Sequence, residues 1–479
     1  MLSVHVHLPS GKTCSVRLPA ESRIRELKAE VQRQFKSPFL KLAFRGEPLE
    51  VSSTLSERVQ DGDSVDAVLL PVKLASTTDA FALHVVGGAA LTWGRLDLGG
   101  GSRHVREKLI RVQQIQATQW AFAAILDDGS VVTWGHSECG GNSSQVQQKL
   151  VRVQQIQATK WAFAAILDDG SVVTWGSRVY GGDSSQVREQ LVRVQQIQAT
   201  EWAFAAILGD GSVVTWGSPN FGGDSRDFQE QLVHVRHIQA SAQAFAAIRL
   251  DGSVVTWGGL GGFCHFVQEK LVRVKQIQAN SGACAAILED GSVVTWGDVC
   301  FGGDSCKVRE KLEHVQQIQT TERAFAAIRD DGSIVTWGDR GFGGDSSQVQ
   351  VKLVRVQKIK GAERAFAAIL DDGSVVTWGD PEHGGDCSQV QEQLVRVQQI
   401  QASSRAFAAI LQDGSVVTWG HSKCGGDSSQ VREQLVRVQH IQATNSAFAA
   451  LVEDGSLVTW GDHVCAKDSS AISARLASW

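Results

Sequence analysis

The sequence contains no apolar run near the roughly 20 residues that a membrane-spanning helix needs; stretches such as 121–126 are among its longest. No membrane partner is therefore expected. The opening MLSVHVHLPSGK lacks the basic start and apolar stretch of a secretory signal, so a cytoplasmic or nuclear protein is expected. Proline is scarce at 7 residues, and the 48 glycines follow no triplet period, which excludes collagen and proline-rich linkers. An excess of one charge is missing too: 46 Lys+Arg face 51 Asp+Glu, a net charge of −5 that argues against a large nucleic-acid footprint. The nine cysteines include no Cys-x-x-Cys pair, so a zinc ribbon is unsupported and free thiols are expected. No P-loop, nucleophile elbow, zincin or kinase signature occurs, and the chain is expected to be no enzyme, with no cofactor and no metal.

What is present is repetition, the first thing to establish in any chain. Thr-Trp-Gly occurs ten times, with tryptophans at 93, 134, 175, 216, 257, 296, 337, 378, 419 and 460. Successive spacings are 41 residues, except for a 39-residue step between Trp257 and Trp296. Within a unit, AFAAIL is apolar on both alternating faces, as in a strand covered on both sides. Asp-Gly and the β-branched SVVTWG follow, which predicts a hairpin with a type I′ turn. VRVQQIQA reads as a third, bulged strand, while QVREQL suits either one helical turn or a fourth strand. The Trp-Gly tryptophans are expected to pack between neighbouring units, and GGDSS to be turn chemistry. A unit this small cannot cover both sheet faces alone, so neighbours must stack, as a propeller-like ring or an open β solenoid.

VQQIQA, AFAAIL, the acidic-Asp-Gly turn and the Trp-Gly strand end together resemble the regulator-of-chromosome-condensation repeat family across residues 72 to 461. The resemblance implies an all-β repeat domain over 71–479. The family's usual repeat is longer and usually sevenfold, and its Gly-Gln-Leu-Gly is Gly-Gly-Asp-Ser here.

Residues 1–70 lack the repeat. Val4 and Val6 alternate with His5 and His7, a turn at Pro9–Lys12 follows, and CSVRL returns as a second strand. Ser22 is placed to cap a helix over 22–35 carrying Ile24, Leu27, Val31 and Phe35 at three- and four-residue spacing. GKTCSVRL resembles the second strand of ubiquitin-like domains and LAFRGEPLE their third strand and turn. That implies an α+β β-grasp domain able to fold alone. The family's recognition patch maps onto Ala43, Leu8 or Pro9, and Val68, with Ala43 replacing its isoleucine. VLLPVK in place of a free diglycine implies an embedded, non-transferable module.

Two spots vary between units: the residues after Trp-Gly and the pair before AFAAI, as in Gln119-Trp120, Lys160-Trp161, Glu201-Trp202, Glu322-Arg323 and Ser404-Arg405. Differing tips on a regular scaffold are how repeat proteins build binding surfaces. The candidate partner-binding residues are Trp120, Trp161, Trp202, Tyr180, Phe221, Phe301 and Phe342, with the three tryptophans forming one aromatic row. The expected function is a non-enzymatic protein-interaction scaffold with protein partners, ubiquitin-pathway components among the candidates. Alternatives are an accessory of ubiquitin-ligase machinery or a guanine-nucleotide exchange factor for a small GTPase. The chain starts with the back of a unit, and 468–476 matches the front of one. The tail 466–476 is therefore expected to complete the first unit, with Ile472 and Leu476 packing near Leu74 and Trp93.

Overall fold

The computed structural model describes residues 1–35, 39–262 and 264–465. Residues 1–70 form a mixed sheet of β1 (Leu2–His7), β2 (Thr13–Leu18), β3 (Leu40–Phe44), β4 (Glu47–Pro48) and β5 (Ser64–Leu69) in the order β2-β1-β5-β3-β4. β1 runs parallel to β5 and antiparallel to β2. Helix α1 (Ile24–Phe35) buries Ile24, Leu27 and Val31 against Val4, Val6, Leu42 and Val65, as the spacing predicts. The helix starts two residues later than expected. Ser22 does not cap it: its carbonyl instead accepts from Leu55 N, tying helix α2 (Leu55–Arg58) to the sheet. Of the positions matching the ubiquitin-like patch, Leu8 is buried, Ala43 is half-buried, and Pro9 and Val68 are exposed. His5 and His7 diverge, to Ser15 and Ser64 on different strands. No described helix is long and apolar enough to cross a membrane.

Ten three-stranded antiparallel sheets follow, one per Trp-Gly unit. In the third unit the strands are Val153–Ala158, Ala162–Leu167 and Val172–Gly176. The expected bulge falls in the first strand, where Val153 pairs with Leu167 and Gln155 with Ile166. QVREQL forms no fourth strand; it makes short 3-10 turns such as Ser185–Val187. The Asp-Gly turn also differs from the expected type I′, which needs positive φ at both central residues. Here only the glycine is left-handed, as at Gly170 (φ +78°), while Asp169 Oδ1 accepts the Ser171 amide at 2.9 Å. The next unit packs on this turn. Val194 N donates to Gly170 O at 2.9 Å, and a Cβ on Gly170 would lie 2.7 Å from Arg193 Cα. Arg193 is itself left-handed at φ +51°.

The two faces of AFAAIL serve two neighbours. In the second unit Ala121, Ala123 and Ile125 pack forward against Phe163 and Trp175, while Phe122 and Ala124 pack back against Ala80 and Ala82. Alanines at these buried positions let sheets approach closely. Each Trp-Gly tryptophan from Trp134 to Trp460 donates its indole N–H to a glycine carbonyl of the preceding linker, as Trp216 does to Gly181 O at 3.0 Å. The tryptophans therefore pack between units, as expected. GGDSS is turn chemistry: Ser184 bonds Thr174 at 3.0 Å, and Asp183 Oδ1 accepts the Ser185 amide at 3.0 Å. Clefts of 770 to 1110 Å³ are each lined by one third strand and the linkers on either side of it, as by Val131, Thr133, His104 and Gln147, whereas the first strands of successive units lie side by side.

The tenth sheet packs against the first. Ala447, Ala449, Leu451 and Leu457 share a buried cluster with Phe81, Leu83, Leu91 and Trp93. Phe39 of the N-terminal region joins that cluster, so residues 1–70 are not separate from the repeats at this point. Ile472 and Leu476, expected at the same seam, lie outside the described residues. The nine cysteines are free thiols.

Candidate functional site

The loop joining the first and second strands of each unit is a four-residue turn, fastened by a buried Thr, Ser or Asn side chain except in the eighth unit, where Ala362 leaves only the backbone bond to Ala365 O. In the third unit Thr159 Oγ1 accepts the Ala162 amide at 3.0 Å and donates to Tyr180 O at 2.9 Å. The fastening holds the next two residues, the variable pair, at one edge of the sheet. The first member of the pair carries a continuous run of backbone bonds from unit to unit. Thr78 N donates to Gln119 O, Gln119 N to Lys160 O, Lys160 N to Glu201 O and Glu201 N to Ala242 O, all within 2.9–3.1 Å. The run resumes from Glu322 through Glu363 and Ser404 to Asn445, whose amide donates to Thr78 O at 3.2 Å. Among the described residues the chain of bonds is interrupted at Ser281, beside the short linker that holds Gly262.

The second member of the pair stacks with the last residue of the 3-10 turn that follows Trp-Gly. Trp120 and Trp161 have ring centroids 5.5 Å apart. Tyr180 lies between Trp161 (4.6 Å) and Trp202 (4.1 Å), and Trp202 stacks on Phe221 at 5.1 Å. The expected row is therefore present, with Tyr180 as its middle rung. Trp120, Trp161, Trp202 and Phe221 are half-buried, but Tyr180 is buried. Burial holds the Tyr180 hydroxyl above its ordinary range and pushes the neighbouring Cys139 thiol up to about 11. Trp161 also donates its indole N–H to Gln119 Oε1 at 2.9 Å, and Lys160 pairs with Glu201 at 3.4 Å.

Phe301 and Phe342 belong to a second arc. Arg323 stacks over both rings, 5.0 and 4.9 Å from their centroids, and Arg364 covers the other side of Phe342 at 4.7 Å. Arg405 continues the arc and meets Glu382 at 3.1 Å. Phe342 is buried, so it supports guanidinium groups and is no exposed anchor. The Nε of each arginine is buried with no hydrogen-bond partner among the described residues. His383 closes this arc from within, and burial lowers its pKa. Arg364 and His383 went unnoticed among the sequence candidates. Arg364 stands fourteen residues before Trp378, the register of Trp120 before Trp134, and that spacing identifies it.

No protein-family model and no curated protein matches the sequence. Solved structures similar to it include RCC1-type repeat proteins. Yeast RCC1 (Prp20), in a structure bound to Kap60, is 17% identical over 50% of this chain and 72% of that one, with a TM-score of 0.32. The CRINKLY WD40 ectodomain of the Arabidopsis thaliana receptor kinase ACR4 is 17% identical over 54% of this chain and 93% of that one, TM-score 0.32. The computationally designed Ika8 protein is 14% identical over 65% of this chain and 96% of that one, TM-score 0.30.

Proposed function

We propose that the chain is a non-enzymatic protein-interaction scaffold. In this reading its ten sheets close into a propeller-like ring and residues 1–70 form an embedded ubiquitin-like β-grasp module. The observation that carries it is the belt along one edge of the sheets, built from the two sequence positions that differ between otherwise near-identical units. One arc presents half-buried indoles and the other presents stacked guanidinium groups. Tryptophan and arginine are the residue types that most often dominate protein interfaces. Stacking fixes their geometry beforehand, which lowers the entropy lost on docking. Ring closure is supported by the Asn445–Thr78 bond and by the cluster shared by the first and tenth sheets.

The test compares proteins captured by the full chain with those captured by two variants, Trp120→Ala/Trp202→Ala and Arg323→Ala/Arg405→Ala. A control, Val436→Ala, removes an exposed side chain of the linker before the tenth unit, outside both variable spots. Loss of a discrete partner set from the belt variants, with the control unchanged, is expected. Identical capture by all four proteins refutes the reading.

A further inference from the structure

The first strands of the ten units carry Gln, Lys, Arg and His at their exposed and half-exposed positions and no carboxylate anywhere. The repeated VQQIQA supplies half-exposed amides such as Gln155, Gln157, Gln196 and Gln198. Where units depart from that sequence, five substitutions add a cation: Lys73, Arg236, Lys275, Lys358 and Lys360, all but Lys360 exposed; His237 and His440 are further substitutions, and burial lowers the pKa of both. Near-balanced charge over the whole chain makes this one-sided set notable.

We propose that these ten strands form the wall of an axial channel that binds a compact polyphosphate anion. The proposal rests on the closed-ring reading. The first strands of successive units approach one another in turn, from Val72–Ser76 round to Val438–Ala443 and back, which puts them at the narrow centre of the ring. Ten neighbours in separate sheets, whose Cα atoms approach within 8 Å, enclose a channel of roughly 15–25 Å between backbones, narrowed further by the side chains that line it. That space suits a small anion with oxygens on every side. Amide N–H groups and ammonium or guanidinium groups are donors to phosphate oxygens, and a recess lined by one sign of charge concentrates the opposite ion. The carboxylates nearest the wall are held at its two ends. Glu201, Glu322 and Glu363 sit on the connecting loops, where Glu201 pairs with Lys160. Asp127, Asp168 and Glu453 pair with Arg111, Arg152 and Arg437 at 3.8, 3.4 and 3.5 Å.

The full chain is titrated calorimetrically at low salt with inositol hexakisphosphate and with inorganic tripolyphosphate. The variant Lys275→Gln/Lys358→Gln/Lys360→Gln places at each site the residue that sister units already carry there, so folding is retained and checked by thermal unfolding. Binding of one hexakisphosphate per chain is expected, weakened roughly tenfold or more in the triple variant and unchanged in Lys149→Gln, which alters an exposed linker lysine. No binding to the unaltered chain, or a triple variant within about twofold of it, overturns the site. Small-angle scattering of the same sample separates the two readings: an open array overturns the ring and the channel together, whereas a ring that binds no polyphosphate overturns the channel alone.

Discussion

The backbone amide of Asn445, in the last unit, donates to the carbonyl of Thr78, in the first, at 3.2 Å. The bond has the same donor-to-acceptor direction as Ser404 N to Asn445 O at 3.1 Å and Gln119 N to Lys160 O at 2.9 Å. The seam thus repeats an internal junction, although the chain enters it from the N-terminal module and not from a linker. At the start of the first unit Val72 pairs with Val85 as Val153 pairs with Leu167, and Pro71 O accepts from Val86 N as Arg152 O accepts from Asp168 N.

The packing of that seam can be weighed against an internal junction. Leu451 packs toward Phe81 and Trp93, and Ile410, in the same register one unit earlier, packs toward Phe448 and Trp460. Leu451→Ala and Ile410→Ala should each cost about 2–5 kcal/mol in denaturant unfolding. A cost for Leu451→Ala below about 1 kcal/mol beside a full cost for Ile410→Ala would show an unpacked seam.

The tryptophans provide a second comparison. Trp216→Phe removes the bond to Gly181 O and leaves a buried carbonyl unpaired, which adds about 1–3 kcal/mol to the loss of ring volume. Trp93 Nε1 is buried with no partner among the described residues, so Trp93→Phe should lack that extra cost. Equal destabilisation of the two variants would contradict this assignment.

Glycine conformation sets a third expectation. Gly181 has φ +89°, and a Cβ there would meet the Phe204 ring at 2.7 Å. Gly11 has φ +83° with open space around it. Gly11→Ala should cost about 1–2 kcal/mol, the ordinary price of a left-handed alanine. Gly181→Ala should cost clearly more, because the ring is locked between strands. Thermal unfolding of the two variants decides the order.

His84 gives a pH dependence. It is buried where eight units have isoleucine and the tenth has Leu451, its Nε2 lies 3.3 Å from Gln113 O, and burial lowers its pKa to about 4. Between pH 4 and its ordinary value of 6.5, the unfolded chain takes up a proton that the folded chain refuses. Stability attributable to His84 is therefore whole above pH 6.5, falls as pH drops toward 4 and is level below it, a total change of at most about 3 kcal/mol. His84→Ile should flatten that slope in denaturant titrations across the window. A slope unchanged by the substitution would place the proton uptake elsewhere.

Much of the repeat is legible in the chain because its causes are local. Alternation in AFAAIL assigns successive side chains to opposite faces, and the β-branched run before Trp-Gly favours a strand. The Asp-Gly turn departs from type I′ because its own bonds, Gly170 N to Leu167 O and Ser171 N to Asp169 Oδ1, leave only the glycine left-handed; the last unit keeps the same turn at Asp454-Gly455. Arg193, left-handed at φ +51°, carries no local signal at all. The tail residues Ile472 and Leu476 share the register of Val187 and Leu191, but the seam cluster as described is joined instead by Phe39, which has no repeat register.

The sequence alone determined the period, the three strands of each unit and the two positions free to vary, because spacing and side-chain alternation are properties of the covalent chain. Tertiary structure decided what those free positions do. Tyr180 becomes a rung between Trp161 and Trp202, and Phe342 a support for Arg323 and Arg364, only when successive units are superposed at close range. The Asn445–Thr78 bond likewise joins residues of the last and first units, and no single unit contains it. Angles between sheets are set by how Ala123 and Phe163 fit together across an interface, and no single unit contains that information.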